Sequence, residues 1–137
     1  MTSHRGETDL AMLLASMRPV LHDGDVVFCS VNRDPTADEI AKAIVIVRES
    51  EGTTLVLRSD DAIALRHIGH LPMSWITLTV HSALDAVGLT AAVAGELARD
   101  GIPCNVVAGF FHDHIFVPEP IASTAMRALA RLSDPDR

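Results

Sequence analysis

Aromatic side chains are scarce in this chain of 137 residues, which has one Trp, four Phe and no Tyr. A hydrophobic core must therefore be built from the aliphatic residues that dominate the 48% hydrophobic content. Charged residues make up 21%. This balance is typical of a globular protein and excludes an intrinsically disordered one.

Positive charge is also in short supply. Eleven Lys and Arg face eighteen Asp and Glu, which gives a formal net charge of −7. An acidic surface argues against nucleic acid or an anionic membrane as the main partner. No apolar run is long enough to span a bilayer, and the N-terminal residues contain no apolar signal core. We therefore expect a cytoplasmic protein.

Cysteine and the common catalytic motifs are nearly absent. Cys29 and Cys104 form no CxxC spacing, and each sits among residues typical of a strand, so we expect two reduced, buried thiols. No nucleotide-binding glycine motif, nucleophile elbow or catalytic triad is present. The sequence predicts no catalytic residue and no cofactor, and the protein is not expected to be an enzyme.

The predicted secondary structure repeats one order of elements. The first set follows a short helix at 10–17 and comprises strands at 26–31, 43–48 and 53–58 with helices at 37–42 and 62–67. Thr36 or Asp34 is expected to cap the helix at 37–42. Residues 59–61 are expected to cap the helix at 62–67. The second set comprises strands at 75–80, 102–108 and 115–117 with helices at 91–98 and 121–132. Each set reads βαββα, most of a ferredoxin-like βαββαβ unit. The join at 66–74 is short, so we expect an α+β protein whose two units pack as one body.

Three motifs of the second half resemble a known family. They are WITLTVHS (75–82), VGLTA (87–91) and CNVVAGFFHDHIFV (104–117). Together they resemble the ACT domain, and in particular short bacterial proteins with two ACT-like units, which are similar to the arginine-sensing ACT proteins of animal nutrient signalling. The resemblance covers roughly residues 10 to 132. It implies an N-terminal ACT-like unit at 10–70 and a C-terminal ACT domain at 73–132. It also implies a regulatory protein that binds a small amino acid without catalysis and forms a homodimer through its sheets.

The candidate ligand site lies where the 81–90 loop faces the 105–113 turn. The N-terminus of the helix after Gly88 offers N–H groups to a carboxylate, and Asp113 could hold an ammonium group. The resemblance places the amino acid between these two segments. The predicted ligand-binding residues are His81, Ser82, Val87, Gly88, Leu89, Asn105, Val106, Gly109, Phe110, His112 and Asp113.

Other interpretations of the same residues stay open. Asp113 could cap its own turn, and Ser82 or Asp85 could merely cap the helix. His112 and His114, joined by His81, could bind a divalent metal, which would make the protein a small metal-using enzyme with a site at His112, Asp113 and His114. A third alternative is an interaction module without a ligand. The remaining histidines, His4, His22, His67 and His70, are expected on the surface or in the linker.

Overall fold

The computed structural model describes residues 9–68 and 71–134. The helices within these residues are α1 (Leu10–Ser16), α2 (Ala37–Lys42), α3 (Ser59–Ala64), α4 (Leu89–Arg99) and α5 (Ala122–Ser133). The strands are β1 (Pro19–Leu21), β2 (Val26–Val31), β3 (Val45–Arg48), β4 (Thr53–Arg58), β5 (Met73–Leu78), β6 (Asn105–Ala108) and β7 (Asp113–Pro118). A single 3₁₀ turn at Glu119–Ile121 leads into α5. In the described part of the chain, no helix is long and apolar enough to cross a membrane.

The described chain divides into two compact units. One contains residues 23–68 and 71–74, and the other joins residues 9–22 to residues 75–134. Residues 9–22 thus pack with the second half of the chain. The α+β, ferredoxin-like class with two βαββα-like units is confirmed. The division into 10–70 and 73–132 concerns the ACT-like sequence units and stays a prediction.

The unit of residues 23–74 is built on antiparallel strands in the order β3, β4, β2. In β2 and β4, the register runs from Val26 opposite Arg58 to Val31 opposite Thr53. Side chains of β2 that point to one face meet those of β4, as alternation along a strand requires. The buried cluster consists of Val27, Cys29, Val31, Leu55, Leu57 and Ala62.

Helix α2 begins with a complete capping box. The Thr36 hydroxyl accepts from the Glu39 N–H at 3.1 Å, and the Glu39 carboxylate accepts from the Thr36 N–H at 2.8 Å. The prediction of Thr36 as the cap is confirmed. Glu39 is only 2% exposed, and it also binds Arg33 at 2.7 Å and His67 at 2.5 Å.

One expectation for this unit is wrong, and another holds only in part. Helix α3 starts at Ser59 and ends at Ala64, so Ser59, Asp60 and Asp61 form its first turn instead of preceding it. His67 lies in the join at 66–74, as expected, but it is not a surface residue, because its side chain is 11% exposed and is held by Glu39. No local pattern could indicate this pairing, since 28 residues separate Glu39 and His67. His4 and His70 lie outside the described residues.

The other unit has strands in the order β1, β5, β7, β6. Strand β1 was not predicted: it has three residues, too few to show alternation, and it pairs antiparallel with β5. Helices α1, α4 and α5 supply the rest of a larger core. Its fully buried members include Leu13, Met17, Ile76, Leu97, Ile115 and Leu129. Helix α4 ends where predicted, at a left-handed Gly101 whose N–H bonds back to Ala98.

Candidate functional site

The N-terminus of α4 is an uncapped helix end. Its N-cap is Gly88, with φ 105°, and no side chain caps it. The N-cap residue is therefore Gly88, and not Ser82 or Asp85 as one alternative expected. The first helical hydrogen bond runs from the Ala92 N–H to the Gly88 carbonyl at 2.9 Å. The N–H groups before Ala92 have no acceptor within the helix, and together with the helix dipole they favour a bound anion.

The backbone conformation favours glycine at position 88. A positive φ is strained for residues that carry a Cβ. A Cβ at Gly88 would also lie 2.9 Å from Leu10 Cδ2 of α1, so the end of that flexible side chain would have to shift. Glycine thus lets the loop before α4 pass close over α1 and turn directly into the helix.

The β6–β7 hairpin places Asp113 beside this helix end. Ala108 lies opposite Asp113 in the ladder, and the turn between them is closed by the Gly109 N–H, which donates to the His112 carbonyl at 2.8 Å. A Cβ on Gly109 would lie only 2.8 Å from that same carbonyl oxygen. The turn is thus closed by its backbone, and no described residue donates a hydrogen bond to the Asp113 carboxylate.

A cavity of about 140 Å³ lies between the two segments. It is lined by Ser82, Ala83, Leu84, Ala86, Gly88, Leu89, Thr90, Ala108 and Asp113. Partial burial raises the pKa of Asp113 above its usual value, and the neighbouring His114 and His112 oppose that rise. A half-desolvated carboxylate without a hydrogen-bond donor gains more from an ammonium partner than a fully hydrated one does.

Behind Asp113, His114 is fixed by a hydrogen-bonded cluster. The Trp75 indole N–H donates to His114 Nδ1 at 3.1 Å, and Thr77 Oγ1 lies 3.0 Å from the same nitrogen. An indole nitrogen can only donate, so Nδ1 accepts and the ring proton sits on Nε2. Burial lowers the pKa of His114, and the positive charges that His112 and His22 can carry lower it further.

His22 also belongs to this cluster. Its ring stacks on Trp75 with centroids 3.6 Å apart, and its Nε2 lies 2.7 Å from Thr77 Oγ1. The expectation of a surface or linker role for His22 is therefore wrong. The missed strand β1 explains the error, because the residue that follows it, His22, is carried to the face of β5.

The structure brings only some of the predicted ligand residues together. Ser82, Gly88, Leu89 and Asp113 line the cavity, whereas seven do not: His81, Val87, Asn105, Val106, Gly109, Phe110 and His112. Val87 is 82% exposed, and the Asn105 side chain donates to the Phe116 carbonyl at 3.3 Å. The role of the whole set in binding stays a prediction.

Five lining residues were missed by sequence reasoning: Ala83, Leu84, Ala86, Thr90 and Ala108. Most are small and apolar, so no chemical signal marked them. Ala108 could have been found from the hairpin. Its four-residue turn, 109–112, brings the last residue of β6 opposite the first residue of β7.

The histidines of the turn do not converge on a metal. Residues 9–68 and 71–134 contain no group of three His, Cys, Asp or Glu side chains placed to hold an ion. His114 uses Nδ1 for Trp75, and the His81 ring packs at 5.4 Å from the Phe111 ring. Both cysteines are free, Cys29 buried and Cys104 half-buried, and burial raises the pKa of each thiol.

Comparison with known proteins identifies the repeated unit. Models of the ACT domain match residues 5–69 and 71–131. A Vibrio cholerae protein of unknown function, described as a possible transport protein, is 47% identical, with a TM-score of 0.80 over 91% of this chain and 96% of that one. The comparison with curated proteins gave no match.

More distant structures share the fold. A protein from Agobacterium tumefaciens is 20% identical, with a TM-score of 0.72 over 85% of this chain and 89% of that one. The ligand-free regulatory subunit of aspartate kinase from Thermus thermophilus is 10% identical, with a TM-score of 0.63 over 88% of this chain and 99% of that one. With two matches that together span most of its length, this chain belongs to the ACT-domain family and is a regulatory ACT-type protein with two ACT domains in tandem.

Proposed function

We propose that this protein is a non-catalytic sensor that binds a free amino acid between the N-terminus of α4 and Asp113. The observation that carries the proposal is the cavity of about 140 Å³ with an uncapped helix end and a half-buried carboxylate in its walls. An α-amino acid is a zwitterion, and these two groups offer partners of opposite sign to its two ends.

The expected binding geometry follows from these charges. The α-carboxylate would accept from the free N–H groups at the start of α4 and gain from the helix dipole. The α-ammonium would donate to Asp113, whose carboxylate has no donor among the described residues. Charge-assisted hydrogen bonds of this kind contribute about 1.5–3 kcal/mol each.

The regulatory output would come from a partner or from the protein's own oligomer. Among the described strands, β3 lies at an edge of its unit and β6 at an edge of the other unit, and open strand edges favour pairing with another chain. A homodimer joined through its sheets is therefore part of the proposal, and light scattering during gel filtration tests it. The free thiols fit a reducing compartment, as expected for the cytoplasm.

A thermal-shift screen with the twenty amino acids tests amino-acid binding. A ligand present at about 100 times its Kd should stabilise the fold by about 2.7 kcal/mol. Purified protein that carries stoichiometric metal and responds to no amino acid would favour the metal-enzyme alternative. Protein that neither carries metal nor responds would favour an interaction module.

Asp113→Ala tests the site itself. The variant should keep the fold and lose about 1.5–3 kcal/mol of binding free energy, which is about ten- to a hundredfold in affinity. Isothermal titration with the amino acid found in the screen measures the loss. Asp38→Ala, at an exposed aspartate of α2, is the matched control and should bind like the parent. Equal affinity in Asp113→Ala and the parent would mean that Asp113 is only a turn residue.

A further inference from the structure

The size of the cavity limits the ligand. At about 140 Å³ it is well below the roughly 300–1,000 Å³ of sites that enclose drug-sized molecules. An engineered protein cavity of about 150 Å³ holds benzene, a ligand of six heavy atoms. Glycine, alanine and serine have about that number of heavy atoms, and threonine has slightly more. A leucine or phenylalanine ligand would have to leave its side chain outside.

The walls leave no charged partner for a ligand side chain. Asp113 is the one ionisable residue in the lining, and no described lining residue is Lys, Arg or His. If Asp113 holds the α-ammonium group, a second carboxylate on the ligand would face an anionic wall without a cation. A basic side chain would have no second acid to bind. Both charged classes therefore pay desolvation without compensation.

Small residues and two hydroxyl-bearing residues complete the lining of the cavity. Ala86 and Ala108 keep the walls close to the backbone, whereas Ser82 and Thr90 add hydroxyl groups that can donate or accept. Leu84, 68% exposed, borders the solvent side. These walls suit a short side chain that is apolar or carries a hydroxyl.

We propose that the ligand class is the small amino acids with uncharged side chains, no larger than threonine or valine. This rests on the proposed function, because it assumes that an amino acid fills this cavity. The discrimination comes from wall volume at Ala86 and Ala108 and from the lack of a second charged lining residue beside Asp113. Excess methylenes in a tight apolar site cost about 10- to 200-fold in affinity each.

A ligand series separates the class from the function. Isothermal titration with glycine, alanine, serine, threonine, valine, leucine, phenylalanine, aspartate and lysine should give the tightest binding within the first five. Leucine and the larger or charged ligands should bind at least tenfold more weakly. Tightest binding by a large or charged amino acid would overturn the ligand class and leave amino-acid sensing intact. No binding by any amino acid would overturn both.

Ala108→Leu then tests whether the cavity walls set the limit. Ala108 is exposed on a hairpin strand, so a larger side chain can be accepted by the fold and would fill part of the cavity. The variant should weaken the best ligand at least tenfold. Ala98→Leu, at an exposed position near the other end of α4, is the matched control and should not change affinity. Equal affinities in Ala108→Leu and the parent would overturn the assignment to this cavity.

Discussion

The two ACT units differ at the N-terminus of the first helix after their first βαββα strand, which is α2 in one unit and α4 in the other. In the unit of residues 23–74, the N-terminus of α2 is closed by the Thr36–Glu39 capping box. In the other unit, the N-terminus of α4 begins at Gly88 without a side-chain cap and borders a cavity. A repeated fold can thus use one helix end for stability and leave the other free to bind an anion.

The β3–β4 and β6–β7 hairpins differ at the first residue of their second strand. Arg48 lies opposite Thr53 across the β3–β4 turn, as Ala108 lies opposite Asp113 across the β6–β7 turn. Where the second unit has a half-buried carboxylate, the first has a threonine that is 9% exposed. A depression of about 330 Å³ near Thr53 is lined partly by Glu49 and other acids. The first unit thus lacks both the free helix end and the matching carboxylate, so we expect one ligand per chain.

The largest expected effect on stability comes from removing the capping box at the N-terminus of α2. Glu39→Ala removes a buried carboxylate that binds the Thr36 N–H, Arg33 and His67. Because these charge-assisted bonds are lost together, we expect the free energy of unfolding to fall by about 2–3 kcal/mol. Urea unfolding measures it. Glu51→Ala, at an exposed glutamate, should change it by less than about 0.5 kcal/mol. An unchanged free energy of unfolding in Glu39→Ala would show that the hydrogen-bond network around Glu39 has no net stabilising effect.

Gly88→Ala and Gly95→Ala compare two glycines at the start and in the middle of α4. At Gly88 the positive φ and the 2.9 Å approach to Leu10 should cost about 1–3 kcal/mol. At Gly95 no atom beyond the adjoining residues and the backbone of the helix itself lies within 4 Å of the added Cβ, and alanine favours the helix, so we expect a gain of about 0.5–1 kcal/mol. Thermal or urea unfolding gives both values. Equal signs for the two variants would contradict the preference for glycine at position 88.

Thr36→Ala and Thr90→Ala test the difference in capping directly. Thr36 supplies the cap of α2, so its loss should cost about 1 kcal/mol. Thr90 lies in the first turn of α4 and caps nothing, so its truncation should stay within about 0.5 kcal/mol of the parent. The same unfolding experiment compares them. A larger loss at Thr90 would mean that the open helix end depends on its own side chain.

The smallest expected effect is a pH dependence from His114. Its folded pKa lies below the ordinary 6.5, because burial and the positive charges that His112 and His22 can carry favour the neutral ring. As pH falls, this histidine takes up a proton in the unfolded chain before it does so in the folded protein. The stabilisation is therefore complete above the unfolded pKa of about 6.5 and is lost as pH falls from there through the lower folded pKa. His114→Gln should flatten this decline in urea titrations from about pH 8 to pH 5. The raised pKa of Asp113 has the opposite effect on stability as pH falls. Its ordinary pKa is lower than that of histidine, so its effect begins at lower pH. An unchanged slope in His114→Gln would assign the decline to other groups.

Local patterns predicted most of the elements. Strands β2 and β4 and helix α2 have the predicted bounds, because alternation, helical spacing and the Thr36 cap are signals that neighbouring residues carry. The misses share a cause. The Glu39–His67 bond joins residues 28 apart in the chain, and His22 meets Thr77 over 55 residues, so no local pattern could reveal either.

The sequence by itself determined the class of fold, the repeated βαββα order and the two segments that border the candidate site. These depend on periodicity, on breakers such as Gly88 and Gly101, and on motifs within short stretches. Only the tertiary structure decided that residues 9–22 pack with the second half. It also decided that small residues such as Ala108 line the cavity and that the end of α4 lacks a cap while the end of α2 has one. The physical reason is that cavities and buried polar pairs are made by side chains far apart in the chain, whose approach depends on how the elements pack.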